Sequence, residues 1–119
     1  MSDELKELLR INGEIIWVYL SKSIKQDPEE EDKKDIAYNP IPIRALVTDL
    51  TSASVQWKMP GISETQGKEL VLNKKYKNTI EQAYKMTIDS DTYVGWKDSQ
   101  GRTQIREESG YIRLYIYRK

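Results

Sequence analysis

The last third of the chain limits the fold most strongly, because short apolar segments there alternate with turn sequences at close spacing. Residues 84–88 and 92–96 flank the turn sequence Asp-Ser-Asp, and two more turn sequences, at 98–101 and 107–110, precede a final apolar segment at 111–117. Short segments with period-two alternation between such turns are typical of antiparallel strands. The pattern predicts an antiparallel meander within a small β-barrel or β-sandwich.

The remainder of the chain adds three strands and two short helices to this meander. Strands are predicted over residues 14–21, 41–47 and 68–72. The nearly continuous apolar run at 14–21 predicts burial of both its faces, or of one face in the core and the other against the helix or a neighbour. A short N-terminal helix is predicted over 1–11. One short internal helix is predicted over 74–83, with Asn73 as its cap. The fold class is therefore mainly β, and a length of 119 residues indicates a single domain, 1–119.

The N-terminal helix carries a narrow apolar stripe formed by Leu5, Leu8 and Leu9. A helix of about three turns is too short to be stable alone, so this stripe must dock on another surface. A lid over the domain's own core is favoured over a contact with a partner helix. By contrast, the acidic segment 23–39 carries a run of charges, which is typical of a solvated loop.

Composition excludes several classes of active site. The chain has no cysteine and no histidine, which removes disulfides, thiolate metal sites, Ser-His triads and most zinc sites. The carboxylate pairs, such as Glu107 with Glu108 or Asp89 with Asp91, fall in predicted turns, where solvation is the expected role. We therefore expect no enzymatic activity, no cofactor and no bound metal.

The chain also lacks targeting signals that would place it in or across a membrane. Acidic residues stand near its start, where a signal peptide would have basic ones, and no apolar run approaches membrane-spanning length. Lysine plus arginine number 19, as do aspartate plus glutamate, so the net charge is zero. A nucleic-acid-binding protein usually shows a basic excess, which this chain lacks overall. We expect a product made in the cytoplasm.

The segment 48–64, between the second and third strands, is the first candidate functional element. It is predicted to be a long inter-strand loop that lies outside its own domain's core and is ordered by other chains, since it combines apolar side chains with turn formers. The alternative is a half-buried strand over 54–59 followed by a Pro-Gly turn. The residues predicted to contact partners are Leu50, Thr51, Ser52, Ser54, Val55, Gln56, Trp57, Met59 and Ile62.

The outer face of the last strand is the second candidate. Ile112, Leu114 and Ile116 alternate with a polar and aromatic set, which consists of Tyr111, Arg113, Tyr115 and Tyr117. Aromatic and basic side chains interleaved in this way can stack bases and pair with phosphates. Residues 97–119 also contain six basic and three acidic side chains. This face is predicted to be the ordinary second face of a closed barrel or a protein interface rich in tyrosine and arginine. The alternative, on an OB-like barrel, is a single-strand nucleic-acid-binding surface that includes Trp96.

The order of these elements resembles the head-completion, or stopper, proteins in the neck of long-tailed bacteriophages. The similarity lies in a leading helix and first strand (LKELLRINGEIIWVYL), a long connection (DLTSASVQWKMPGISE), a strand–helix–strand passage (KELVLNKKYKNTIEQAYKMTI) and closing hairpins (DTYVGWKDSQGRTQIREESGYIRLYIYRK). It covers most of the chain as a pattern of elements. The acidic insert has no counterpart in the pattern, and other neck and tail proteins, such as adaptors and tail terminators, share small β-barrels.

The resemblance implies a structural function in the virion neck. Such a protein forms a homo-oligomeric ring below the portal and adaptor proteins, and its lower face docks the tail. Its long inter-strand loop points into the channel and gates it, which holds the packaged DNA without sequence specificity. A gating loop that meets its symmetry mates should carry little charge and some apolar bulk, as residues 50–57 do.

Overall fold

Seven strands and three α-helices make up the part of the chain that the computed structural model describes, residues 3–20, 40–60 and 66–118. The predicted acidic loop at 23–39 lies outside these residues. In chain order the elements are α1 (Asp3–Asn12), β1 (Glu14–Leu20), β2 (Ile41–Leu50), α2 (Ser52–Lys58), β3 (Gly67–Asn73), a 3-10 turn (Lys74–Tyr76) that leads into α3 (Lys77–Glu81), β4 (Ala83–Ile88), β5 (Asp91–Gly95), β6 (Ile105–Glu107) and β7 (Tyr111–Arg118).

Six of the strands close into an antiparallel barrel, which confirms the predicted fold class. The strands are neighbours in the order β3-β2-β1-β4-β5-β7, and β7 pairs back with β3 from Gly67↔Tyr117 to Asn73↔Tyr111. β5 and β6 share the other edge of β7, where β5 pairs with its C-terminal end and β6 with residues 112–114. Closure leaves no long unpaired edge among the strands described, which protects a small β protein from aggregation.

The barrel interior is filled by the inward residues of every long strand. Ile112, Leu114 and Ile116 of β7 are fully buried, as predicted, and they pack with Ile16 and Val18 of β1. The expectation that the domain itself buries both faces of β1 is wrong, because Ile15 and Trp17 on the outer face are 39% and 42% exposed. Burial of that face against a neighbour stays a prediction. A closed barrel has a single interior, so only alternate residues of a strand enter it.

Local turn chemistry agrees with the sequence. Asp89 and Ser90 both have positive φ values, 50° and 72°, as the two central residues of a tight hairpin between β4 and β5 require. Gly101, at φ 78°, closes the turn after β5. The Asn73 side chain accepts a hydrogen bond from the Lys75 amide, which confirms it as the cap of the 3-10 turn.

The helices depart from the prediction in two ways. In α1, Leu5 and Leu9 are buried but Leu8 is 46% exposed, so the apolar stripe is narrower than expected. The buried pair agrees with docking of α1 on the domain itself, where it contacts β2. The prediction of one internal helix is also incomplete, because α2 is a second internal helix in the connection between β2 and β3.

Candidate functional site

The connection between β2 and β3 is built around α2, so both sequence interpretations of it are wrong. Residues 52–58 form neither an irregular loop nor a strand. Thr51 is the N-cap, and its hydroxyl oxygen accepts a hydrogen bond from the Ser54 amide at 3.2 Å. At the other end the Met59 amide donates to the Val55 carbonyl at 2.8 Å.

One face of α2 belongs to the domain's own packing. Val55 and Met59, four residues apart, are both 0% exposed. They lie over Gly67 at the start of β3, where a Cβ atom would be 2.8 Å from Val55 Cγ2 and 2.7 Å from Met59 Cε. The expectation that residues 49–64 are peripheral to the core is therefore wrong for these two side chains. The absence of a side chain at Gly67 lets the helix approach the barrel this closely.

The opposite face of α2 presents an apolar side chain to solvent. Trp57 is 85% exposed, the largest exposure among the large apolar side chains of the described residues. Of the other predicted contact residues, Leu50 and Ser54 are partly buried and Thr51 is exposed. Ser52 and Gln56 lie in α2, but their side chains are outside the description, as is the whole of Ile62. The helix thus holds Trp57 outward from an anchored base.

A second apolar surface runs along the outer face of β1. Ile15 and Trp17 are followed on this face by Tyr19, whose ring meets that of Tyr84 edge to face at 6.4 Å. Lys85 lies over the Tyr19 ring, with 4.5 Å between Nζ and the ring centroid. This surface, called the β1 stripe below, is apolar at one end and capped by a cation at the other.

The predicted nucleic-acid face of β7 contributes to a groove with a volume of about 970 Å³. Arg113 and Tyr115 line this groove, and so does Trp96, whereas Tyr111 and Tyr117 do not. The remaining basic side chains of the groove come from α2, α3, the hairpin after β5, and β6; they are Lys58, Lys77, Arg102 and Arg106. We refer to this feature as the basic groove.

Arg113 differs from the other cations of the basic groove because no carboxylate of the described residues pairs with it. Its Nε atom is buried and makes no hydrogen bond, and no ion pair forms between its guanidinium and the described residues. Arg106 stands directly opposite it on β6, so the cross-strand neighbour is another cation. Like charges opposite each other in a sheet are destabilising, and so is an unpaired buried polar atom.

The other cations of the basic groove are partnered. Lys77 contacts Glu107 at 2.6 Å, and this hydrogen bond raises the pKa of Lys77 and lowers that of Glu107. Arg106 pairs with Glu108 at 3.0 Å. Lys58 donates to the Tyr115 hydroxyl at 3.3 Å and lies 3.8 Å from Glu69. Arg102 pairs with Asp98 at 3.7 Å. Arg113 is thus the one basic groove residue without a partner among the described residues.

A tight hairpin forms one wall of the groove. The Asp98 carboxylate accepts hydrogen bonds from the backbone amides of Arg102 and Gln100, at 3.0 and 2.8 Å. The bond from Arg102 is the main reason that the pKa of Asp98 lies below its ordinary value, and the bond from Gln100 adds to it. The Trp96 carbonyl accepts from the Gln104 amide at 2.9 Å, so the hairpin base is also closed.

Sequence reasoning found Arg113, Tyr115 and Trp96 but missed Lys58, Arg102 and Arg106. The first three carry a local signal, an aromatic and basic alternation or a strand-end tryptophan. The last three become neighbours of Arg113 only through α2 docking and strand pairing, which no local pattern encodes.

No protein-family model, curated protein or solved structure matches this chain. Among residues 3–20, 40–60 and 66–118, no cluster of three or more carboxylate side chains is placed to hold a metal ion. None of the helices described is long and apolar enough to span a membrane.

Proposed function

We propose that this chain is a structural subunit of a bacteriophage neck, and specifically a head-closure protein that forms a ring and gates the DNA channel. The element order of the sequence and the small closed barrel both support this proposal. The observation that carries it is Trp57, 85% exposed on a helix whose other face is anchored in the domain. An enzymatic role has no comparable support.

The exposure of Trp57 favours a subunit over a solitary domain. An aromatic side chain can bury about 150–250 Å² of surface, and at about 25 cal/mol per Å² that corresponds to about 4–6 kcal/mol before entropic costs. Tryptophan is also enriched among the residues that dominate interface energies. The β1 stripe adds a second apolar surface with Ile15 and Trp17. A ring subunit needs two separate contact surfaces, one for each neighbour.

The gating element in this proposal is α2 and not a flexible loop. Lys58 is the only charged residue of α2, and its ammonium turns back to Tyr115 and Glu69 of the barrel. The outward face therefore offers Trp57 without a formal charge beside it. Around a ring axis, such tips would meet one another and close the channel over packaged DNA. The portal and adaptor proteins would lie above this ring and the tail proteins below it.

Deletion of the gene from its source genome tests the proposal. DNA-filled heads and separate tails should accumulate in place of infectious particles, because the joint between them is missing. Tails of abnormal length would assign the chain to tail termination, and heads that carry no downstream neck protein would favour an adaptor. Normal infectious particles would refute every neck function.

Complementation of the deletion then tests the role of α2. Trp57→Ser should fail to restore infectious particles although the purified variant remains folded. Ile11→Ser is a matched control, since Ile11 is also an exposed apolar side chain, 61% exposed on α1 and part of neither α2 nor the β1 stripe. If Trp57→Ser restores particles as well as the control does, the gating role of α2 is wrong.

A further inference from the structure

The unpaired Arg113 requires a physical explanation, because a sheet position opposite Arg106 is unfavourable for a cation. Its Nε atom is out of contact with water and lacks an acceptor. A buried donor left unsatisfied costs about 1–3 kcal/mol, and more when the group is charged. Pairing of the guanidinium with an anion would offset that cost, and no carboxylate of residues 3–20, 40–60 or 66–118 forms such a pair.

The acidic side chains of the basic groove do not supply that anion. Glu81 pairs with Lys77 at 3.6 Å. The Asp98 carboxylate is occupied by two backbone amides of its own hairpin. The groove lining therefore holds five basic side chains against two acidic ones, but three of those cations are also paired with glutamates outside the lining, Glu69, Glu107 and Glu108. Arg113 is left as the cation that a polyanion can pair with without displacing a carboxylate of the described residues.

Aromatic rings narrow the class of polyanion. The Trp96 amide donates to the Tyr115 carbonyl at 2.9 Å, so the two residues are cross-strand neighbours, and both side chains line the groove. Lys58 Nζ lies 5.0 Å from the centroid of the Tyr115 ring. Bases of a single strand can stack on such rings while cations beside them pair with the phosphates. An acidic peptide could pair with the cations, but its carboxylates would not stack on the two aromatic rings.

We infer that the basic groove binds single-stranded nucleic acid, with a backbone phosphate on the Arg113 guanidinium and bases stacked on Trp96 and Tyr115. The concave shape favours a single strand over a duplex, whose bases are already stacked on one another. This inference does not rest on the proposed neck function, since Trp57, on which that function depends, does not line the groove.

Fluorescence anisotropy of a fluorescein-labelled twelve-nucleotide oligo(dT) tests the inference directly. The intact protein should bind it at 20 mM salt, and the affinity should fall steeply as salt rises, because counterions are released from the phosphates. Arg113→Gln should weaken binding about tenfold and reduce the salt slope by about one phosphate contact. Arg118→Gln is the matched control, since Arg118 lies on the same strand but pairs with Asp91 outside the groove.

Base stacking is tested by a separate pair of tyrosine variants in the same binding assay. Tyr115→Ser should weaken binding at least about fivefold with little change in salt slope, whereas Tyr84→Ser on the barrel wall should leave binding unchanged. Unlabelled duplex of the same length and poly-glutamate should compete poorly. The inference is overturned if the intact protein does not bind oligo(dT) at 20 mM salt, if poly-glutamate competes equally well, or if Arg118→Gln matches Arg113→Gln.

Discussion

Two substitutions separate the structural role of α2 from its proposed functional role. One replaces Trp57, which faces outward, and the other replaces Met59, which faces inward at the C-terminal end of the helix. Met59 is 0% exposed and packs over Gly67, so Met59→Ala removes buried methylene and sulfur contacts and leaves a cavity. Buried Met→Ala changes cost about 2–5 kcal/mol. Trp57 is 85% exposed, so Trp57→Ala should change the free energy of unfolding by less than about 0.5 kcal/mol.

The short length of α2 increases the expected difference in stability between Met59→Ala and Trp57→Ala. A helix of seven residues is not stable by itself in water, so α2 depends on Val55 and Met59 for its existence. For a domain of this size, a loss of 1 kcal/mol lowers the melting temperature by about 4 °C, so Met59→Ala should lower it by about 8–20 °C. Urea titration at constant temperature gives the same difference as a change in midpoint.

Hydrogen exchange distinguishes local unfolding of α2 from global unfolding of the domain. The Met59 amide, which donates to the Val55 carbonyl, should lose protection in Met59→Ala even if the barrel amides keep theirs. The reasoning is refuted if Trp57→Ala destabilises the protein more than Met59→Ala, or if neither variant changes stability. The first outcome would mean that α2 docks through Trp57 and not through Met59, and the second would restore the peripheral-loop interpretation.

Three further predictions follow from single contacts. Gly67→Ala should destabilise the protein by about 1–3 kcal/mol in urea titration, because its Cβ would lie 2.7–2.8 Å from the side chains of Val55 and Met59. Gly101→Asn should cost less, because its Cβ meets no atom within 4 Å and asparagine adopts the positive φ of this turn more readily than most residues. The pKa of Asp98 is lower in the folded protein than in the unfolded chain. The Asp98 carboxylate therefore stabilises the hairpin fully at a pH above its pKa in the unfolded chain, and this stabilisation is lost as the pH falls through its pKa in the folded protein. Carboxyl ¹³C NMR should show this low pKa, and Asp98→Asn should abolish the acid-dependent loosening; an ordinary pKa would contradict the hydrogen bonds. Arg113→Met should raise the melting temperature of the free protein, because it removes an unpaired cation, and a lower melting temperature would mean that the guanidinium has a partner within the chain.

The alternation and turn residues of the last third determined much of the fold in advance. The inward set of β7, Ile112, Leu114 and Ile116, follows from period-two alternation alone. The Asp89-Ser90 turn and the Asn73 cap are equally local, because each depends on residues within two or three positions along the chain. These three features could be predicted because none of them requires knowledge of which strands become neighbours.

Long-range contacts determined the features that local sequence patterns did not predict. α2 forms because Gly67 lies 12 residues after Val55 and leaves room for it, and no local pattern marks that complementarity. Closure of the barrel through β3 and β7 leaves the outer face of β1 exposed, so Trp17 became a surface residue although its strand is almost entirely apolar. The basic groove depends on the same closure. Arg113 acquires Lys58 and Arg106 as neighbours only when three separate segments meet, because charge and burial at a site are properties of the packed chain and not of its sequence.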